Sequence, residues 1–233
     1  MSLYDKNYNP AGFNQERVHT QGEATLKAFI KQTYQMFAAS LLAGTVGAYI
    51  GMGMVATVIQ FYFVFIILEF ALIFGLNLAV KKSPNIGLVV LFAFTFVSGI
   101  TLAPLLSATM GINGGAEIVA NAFLMTTAAF GGLSFFAMST NKDFTTMSKI
   151  LLIGLIVVVV GGIINIFTQS SFFQVVIAGV SSVLFSFFIL YDTQNVVRGN
   201  YNSPIIAASA LYLDFLNLFV SLLQILGLFG RND

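Results

Sequence analysis

Seven stretches of this chain are each long and apolar enough to cross a lipid bilayer, and that fact leaves few folds open. A helical crossing needs about 20 residues. Inside lipid every backbone polar group must be satisfied by the segment itself or its neighbours, which permits only helices or closed barrels. The windows run from about Thr33 to Gly53, Thr57 to Val80, Ile86 to Ser107, Ala116 to Ser139, Ser148 to Phe167, Phe172 to Val197 and Pro204 to Leu228. Their lengths fit helices and exceed the roughly 10 residues of a barrel strand. The chain is 58% hydrophobic and 8% charged, against about 25% charged in a soluble domain. The expectation is an all-α integral membrane protein with seven transmembrane helices. A polar tail over residues 1–26 precedes a single membrane domain over 27–233. That tail has no short apolar core of the kind a cleavable signal carries, so the first helix serves as an uncleaved anchor.

Basic residues set the expected orientation, because positively charged loops stay cytoplasmic. Lys6, Arg17, Lys27 and Lys31 precede the first span, Lys81 and Lys82 follow the second, Lys142 and Lys149 flank the fourth loop, and Arg198 follows the sixth span. Nine of the ten Lys and Arg residues then share one side, and only Arg231 falls opposite. This predicts a cytoplasmic N-terminus and an outside C-terminus. A net charge of +1 without a basic face argues against nucleic acid as a partner. With no cysteine, disulfides and thiolate chemistry are excluded.

Only three acidic residues lie well inside the spans: Glu69, Asp192 and Asp214. Asp192 and Asp214 each sit eleven residues from Ser203, one on either side of a short polar turn. Antiparallel helices would hold them at similar depth, with Asp214 roughly 15 Å in from Pro204. Each aspartate has an asparagine three residues on, Asn195 and Asn217, on the same helix face. Ionisable residues in a membrane interior are costly and mark functional sites. Two carboxyls in contact share a proton more readily than both ionise, and titrate as a pair. Without protons they offer hard oxygen ligands suited to calcium, with Asn195, Asn217 and backbone carbonyls to complete a shell. The plain alternatives are a protonated, hydrogen-bonded Glu69 and an aspartate pair that only fastens two helices. Glu69 is expected to line the same cavity as the pair.

Two aspartates on adjacent late helices also occur in intramembrane aspartyl proteases, and Tyr191-Asp192 matches one half of that signature. The other half requires Gly-x-Gly before the second aspartate, where this chain has Leu211-Tyr212-Leu213. The chain is therefore not expected to be an enzyme. Small residues at four-residue spacing (Ala43, Gly47, Gly51) predict close helix packing. Pro104 is expected to kink the third span or free a carbonyl there.

The segments Phe94 to Pro104 (FTFVSGITLAP), Phe185 to Asn195 (FSFFILYDTQN) and Ala210 to Phe219 (ALYLDFLNLF) resemble the Bax inhibitor-1 (transmembrane Bax inhibitor motif) family, over about Lys27 to Gly230. The short loops resemble a bacterial member, which places the chain in an inner membrane. The resemblance implies a central last helix wrapped by six others and a pH-sensitive, calcium-permeable channel or leak. It implies that Asp192 and Asp214 form a hydrogen-bonded pH sensor and gate, with Glu69 on the same ion pathway. It also implies a basic latch on the aspartates from near the end of the second span, where Lys81 and Lys82 are the nearest basic residues. The contrasting role it offers is a non-conducting protein that modulates a membrane quality-control protease. No cofactor is expected beyond calcium as the transported or bound ion.

Overall fold

The computed structural model describes the backbone of residues 10–230 and the side chains of residues 22–230. Eight α-helices follow one another: α1 (Pro10–Met52), α2 (Val55–Gln60), α3 (Tyr62–Lys82), α4 (Pro84–Met110), α5 (Gly115–Ser139), α6 (Ser148–Thr168), α7 (Ser171–Val197) and α8 (Pro204–Phe229). All but α2 are long and apolar enough to span a membrane. No strand occurs among the described residues. Of the tail expected over 1–26, residues 1–9 lie outside the described residues, and from Pro10 the backbone is already part of α1.

Helix ends follow local chemistry. Pro84 and Pro204 stand at first helical positions, where a missing N–H costs nothing, each preceded by an extended serine. Ser203 accepts from the Ile205 N–H as an N-cap. α7 ends where Gly199 takes φ +67°. The Gly199 N–H then bonds to Val196 O and the Asn200 N–H to Asn195 O, the paired bonds of a Schellman turn. The second window departs from expectation. The chain first makes the short α2, breaks at Phe61 and only then begins α3. Hydropathy could not show this, because residues 55–65 stay apolar on average despite Thr57 and Gln60 and contain neither Pro nor Gly.

α8 is the most buried span and packs against α1, α3, α4, α5 and α7. It is central, but five helices surround it. The sixth, α6, packs only on α7 and the 3₁₀ turn that precedes it. Ala207, Ala208 and Ser209 let neighbours approach the first half of α8 closely. Farther along, Phe215 meets Phe37 of α1 and Phe130 of α5 edge to face, at centroid distances of 6.1 and 5.7 Å. Such pairs fix relative helix positions where lipid gives no hydrophobic drive.

The tightest crossing is α1 on α4. Gly47 lies against the Phe96 carbonyl and Gly99 against the Gly44 carbonyl, backbone on backbone. The small-residue stripe is thus Gly44, Gly47 and Gly51, and half-buried Ala43 stands beside it. α4 stays helical through Pro104. The Ile100 carbonyl, which has no donor four residues on, lies against Gly51.

Candidate functional site

The turn between α7 and α8 brings the two aspartates together. Asp192 is 6% and Asp214 3% exposed, and their carboxyls lie within hydrogen-bonding reach of each other. A carboxylate can only accept, so a bond between the two requires a proton on one of them. Tyr201, in the turn, donates its hydroxyl to Asp192 Oδ1 at 2.6 Å. Burial, and then the neighbouring Asp192, pushes the Tyr201 hydroxyl far above the ordinary tyrosine range, so it remains a donor. Asp214 Oδ2 is buried with no donor among the described residues.

Five consecutive residues, Asp192 to Val196, are buried. A helix buried on every side is enclosed by its neighbours, and polar contacts fasten them here. The Gln194 carboxamide donates to the carbonyls of Ala137 (3.2 Å) and Lys142 (2.8 Å) and accepts from the Phe144 N–H (2.7 Å). Thr193 shares a hydrogen bond with Ser134 of α5, and the Tyr34 hydroxyl of α1 faces that pair. Outside the spans, Arg198 pairs with Asp143 at 2.7 Å. The Thr145 hydroxyl and backbone N–H, with Arg198 beside them, hold the Asp143 carboxyl below its usual range. A depressed carboxyl contributes stability above its unfolded pKa, and the contribution is lost as pH falls through the folded value. Asp143→Asn should therefore lower the thermal midpoint slightly at pH 7, with the difference from wild type shrinking in acid as the carboxyl takes up its proton. An undiminished difference in acid would rule the ion pair out as its cause.

The other expected site residues are placed differently. Asn195 donates to the Tyr191 carbonyl and accepts from the Asn200 side chain, bracing the turn. Asn217 donates to the Leu213 carbonyl of its own helix. Neither hydrogen bond is made to the carboxyl pair. Among the described residues no group of three His, Cys, Asp or Glu side chains could hold a metal. Lys81 and Lys82 are exposed at the end of α3 and make no ion pair with a described residue; they do not latch the aspartates in this structure.

Glu69 forms a second cluster. It lies beside the Thr101 hydroxyl of α4, with its charge felt by Tyr62 and Tyr212, and its Oε1 is buried without a donor. Tyr212 in turn shares a 2.6 Å hydrogen bond with Ser98 and donates to the Thr95 carbonyl. The two clusters sit on different faces of α8, because Tyr212 and Asp214 are two residues apart.

Sequence reasoning missed Tyr201 and Gln194. Tyr201 carried a faint signal, an aromatic phenol inside an otherwise polar turn nine residues after Asp192. Gln194 carried none, because its partners come from another helix and loop. Tyr201→Phe leaves a buried carboxyl oxygen without its donor and should cost about 2 kcal/mol in equilibrium unfolding from mixed micelles. Wild-type stability in that variant would show the bond to be dispensable.

Comparison with known proteins agrees with this architecture. The family model described as "Inhibitor of apoptosis-promoting Bax1" matches residues 26–231. A Campylobacter jejuni protein is 50% identical over 235 residues, covering 99% of each chain. An Escherichia coli protein named "Modulator of FtsH protease YccA" is 32% identical over 169 residues, 72% of this chain and 77% of the relative. Its counterpart from a second Escherichia coli strain, named "Inner membrane protein YccA", matches to the same extent.

Proposed function

We propose that this chain, which belongs to the Bax inhibitor family described as "Inhibitor of apoptosis-promoting Bax1", is a calcium-permeable leak gated by protonation of Asp192 and Asp214. It is a multi-pass protein of the bacterial inner membrane, with relatives named for that location. The basic loops make the α3–α4, α5–α6 and α7–α8 side cytoplasmic, with the N-terminus inside and the C-terminus outside. The observation that carries the reading is the buried carboxyl pair itself, held between adjacent helices with Asp214 Oδ2 lacking a donor.

A shared proton leaves the pair with one charge and ties α7 to α8. When that proton leaves, two like charges stand together in a low-dielectric interior and repel strongly. Separating the helices or admitting a dication relieves the repulsion. Calcium is then cargo that meets two hard oxygens and passes on, with no resident metal, cofactor or enzymatic step. Glu69 is a second acidic station on the route, and Asn217 lies near the middle of α8 close to the pair.

The second reading is a non-conducting modulator of a membrane protease. The printed name of the Escherichia coli relative favours it. In that case the aspartates only fasten α7 to α8. Calcium entry into liposomes holding this protein alone separates the two. Entry that scales with protein density supports the leak, and tight vesicles around folded protein leave the modulator.

A further inference from the structure

We propose that the cleft between α6, α7 and α8 is a water-filled vestibule, opening on the side away from the basic loops and closed at its inner end by Phe185. Its volume is about 540 Å³. It exists because α6 packs on α7 and not on α8. Leu155, Val158, Val159 and Ile166 give the cleft an apolar wall on α6, but a wholly lipid-facing seam would lack polar side chains. Here Asn165, Gln174 and Gln224 ring its mouth, three to five residues from the ends of their helices. Ser181, Ser221 and Asn217 continue inward. The carboxamides of Gln174 and Gln224 make no hydrogen bond to any described residue. Carboxamides left unpaired in hydrocarbon cost several kcal/mol each, and water in a polar cleft of this size satisfies them.

The lining leads toward the carboxyl pair. On α8, Asp214, Asn217, Ser221 and Gln224 fall on one helix face, and Asn217 lies about 4.5 Å along the axis from Asp214. On α7, Gln174, Ser181, Phe185 and Asp192 likewise share one face. The polar series there is interrupted at Phe185, which is buried, lines the cleft and stacks on Phe188 at 5.6 Å. Phe185 is thus the plug between the vestibule and the pair. The solute class such a vestibule takes is water and small hydrated ions, since its polar wall side chains are carboxamides and hydroxyls and none is charged. What it carries rests on the leak reading, whereas its hydration does not.

The chain has no cysteine, so single cysteines report directly. Ser181→Cys and Ser221→Cys would be treated in vesicles with a charged, membrane-impermeant methanethiosulfonate. Val157→Cys, on the outward face of α6, serves as the lipid-facing control. The reagent needs a hydrated thiolate, so both cleft positions should react about a hundredfold faster than the control. Two positions on different helices guard against misfolding of either variant. Reaction as slow as the control at both, in folded protein, overturns the vestibule and means that lipid or a partner helix fills the cleft. Fast labelling in a protein that admits no calcium would keep the vestibule and remove the leak.

Discussion

Gly47→Ala and Gly99→Ala should each destabilise the protein by about 3 kcal/mol, the upper end of the range for overpacking. Each added methyl would meet a backbone carbonyl of the facing helix, Phe96 for position 47 and Gly44 for position 99. A clash with the tip of a side chain is relieved by a rotamer change, but these two carbonyls belong to rigid helices. The helices must move apart, and the shift would pass to Tyr212, whose hydroxyl lies against Gly44 and bonds Ser98. Equilibrium unfolding from mixed micelles measures the loss. Gly75→Ala, where nothing lies within 4 Å of the new methyl, is the comparison and should be neutral or slightly stabilising. Equal stability of all three variants would show that α1 and α4 do not meet through these glycines.

The second large effect concerns pH. Asp192→Asn and Asp214→Asn keep the shape and hydrogen-bonding capacity of each side chain but remove the shared proton. A gate governed by one proton changes its open-to-closed ratio by up to about tenfold per pH unit. Calcium flux through wild-type protein should therefore vary steeply with pH, because two carboxyls in contact release their protons as a coupled pair. Either asparagine variant should give a nearly flat profile while remaining folded. Glu69→Gln removes an acid outside the pair, so it should lower the flux and keep the slope. A steep profile retained by both aspartate variants would assign the pH response to another group.

The seven spans were legible because membrane crossing is a local property of length and hydropathy. The third to seventh windows end within three residues of the helices found. The aspartate pair was legible for a related reason. Asp192 and Asp214 are symmetric about Ser203, and a turn built from Gly199, Ser203 and Pro204 makes the adjoining helices antiparallel. What could not be read depends on which helices become neighbours. The break at Phe61 has no Pro or Gly to mark it. Glu69 lies twelve residues in from Lys81, a depth close to that of Asp214 from Pro204, yet α3 faces α4 and directs it to Thr101 and Tyr212. Lys81 and Lys82 are near in sequence to the place of the expected latch, but the end of α3 leaves them in the open. Asn195 shares a helix face with Asp192, and the Schellman turn places Asn200 within reach to claim its oxygen. The outlying position of α6, on which the polar cleft depends, is also a tertiary outcome.

The most direct test of the account is the pH profile of calcium entry into liposomes containing only this protein, wild type beside the Asp192→Asn/Asp214→Asn double variant. The account predicts a steep wild-type profile and a flat one for the double variant at equal protein density. Superimposable profiles, or wild-type vesicles that stay closed to calcium at every pH, would contradict it.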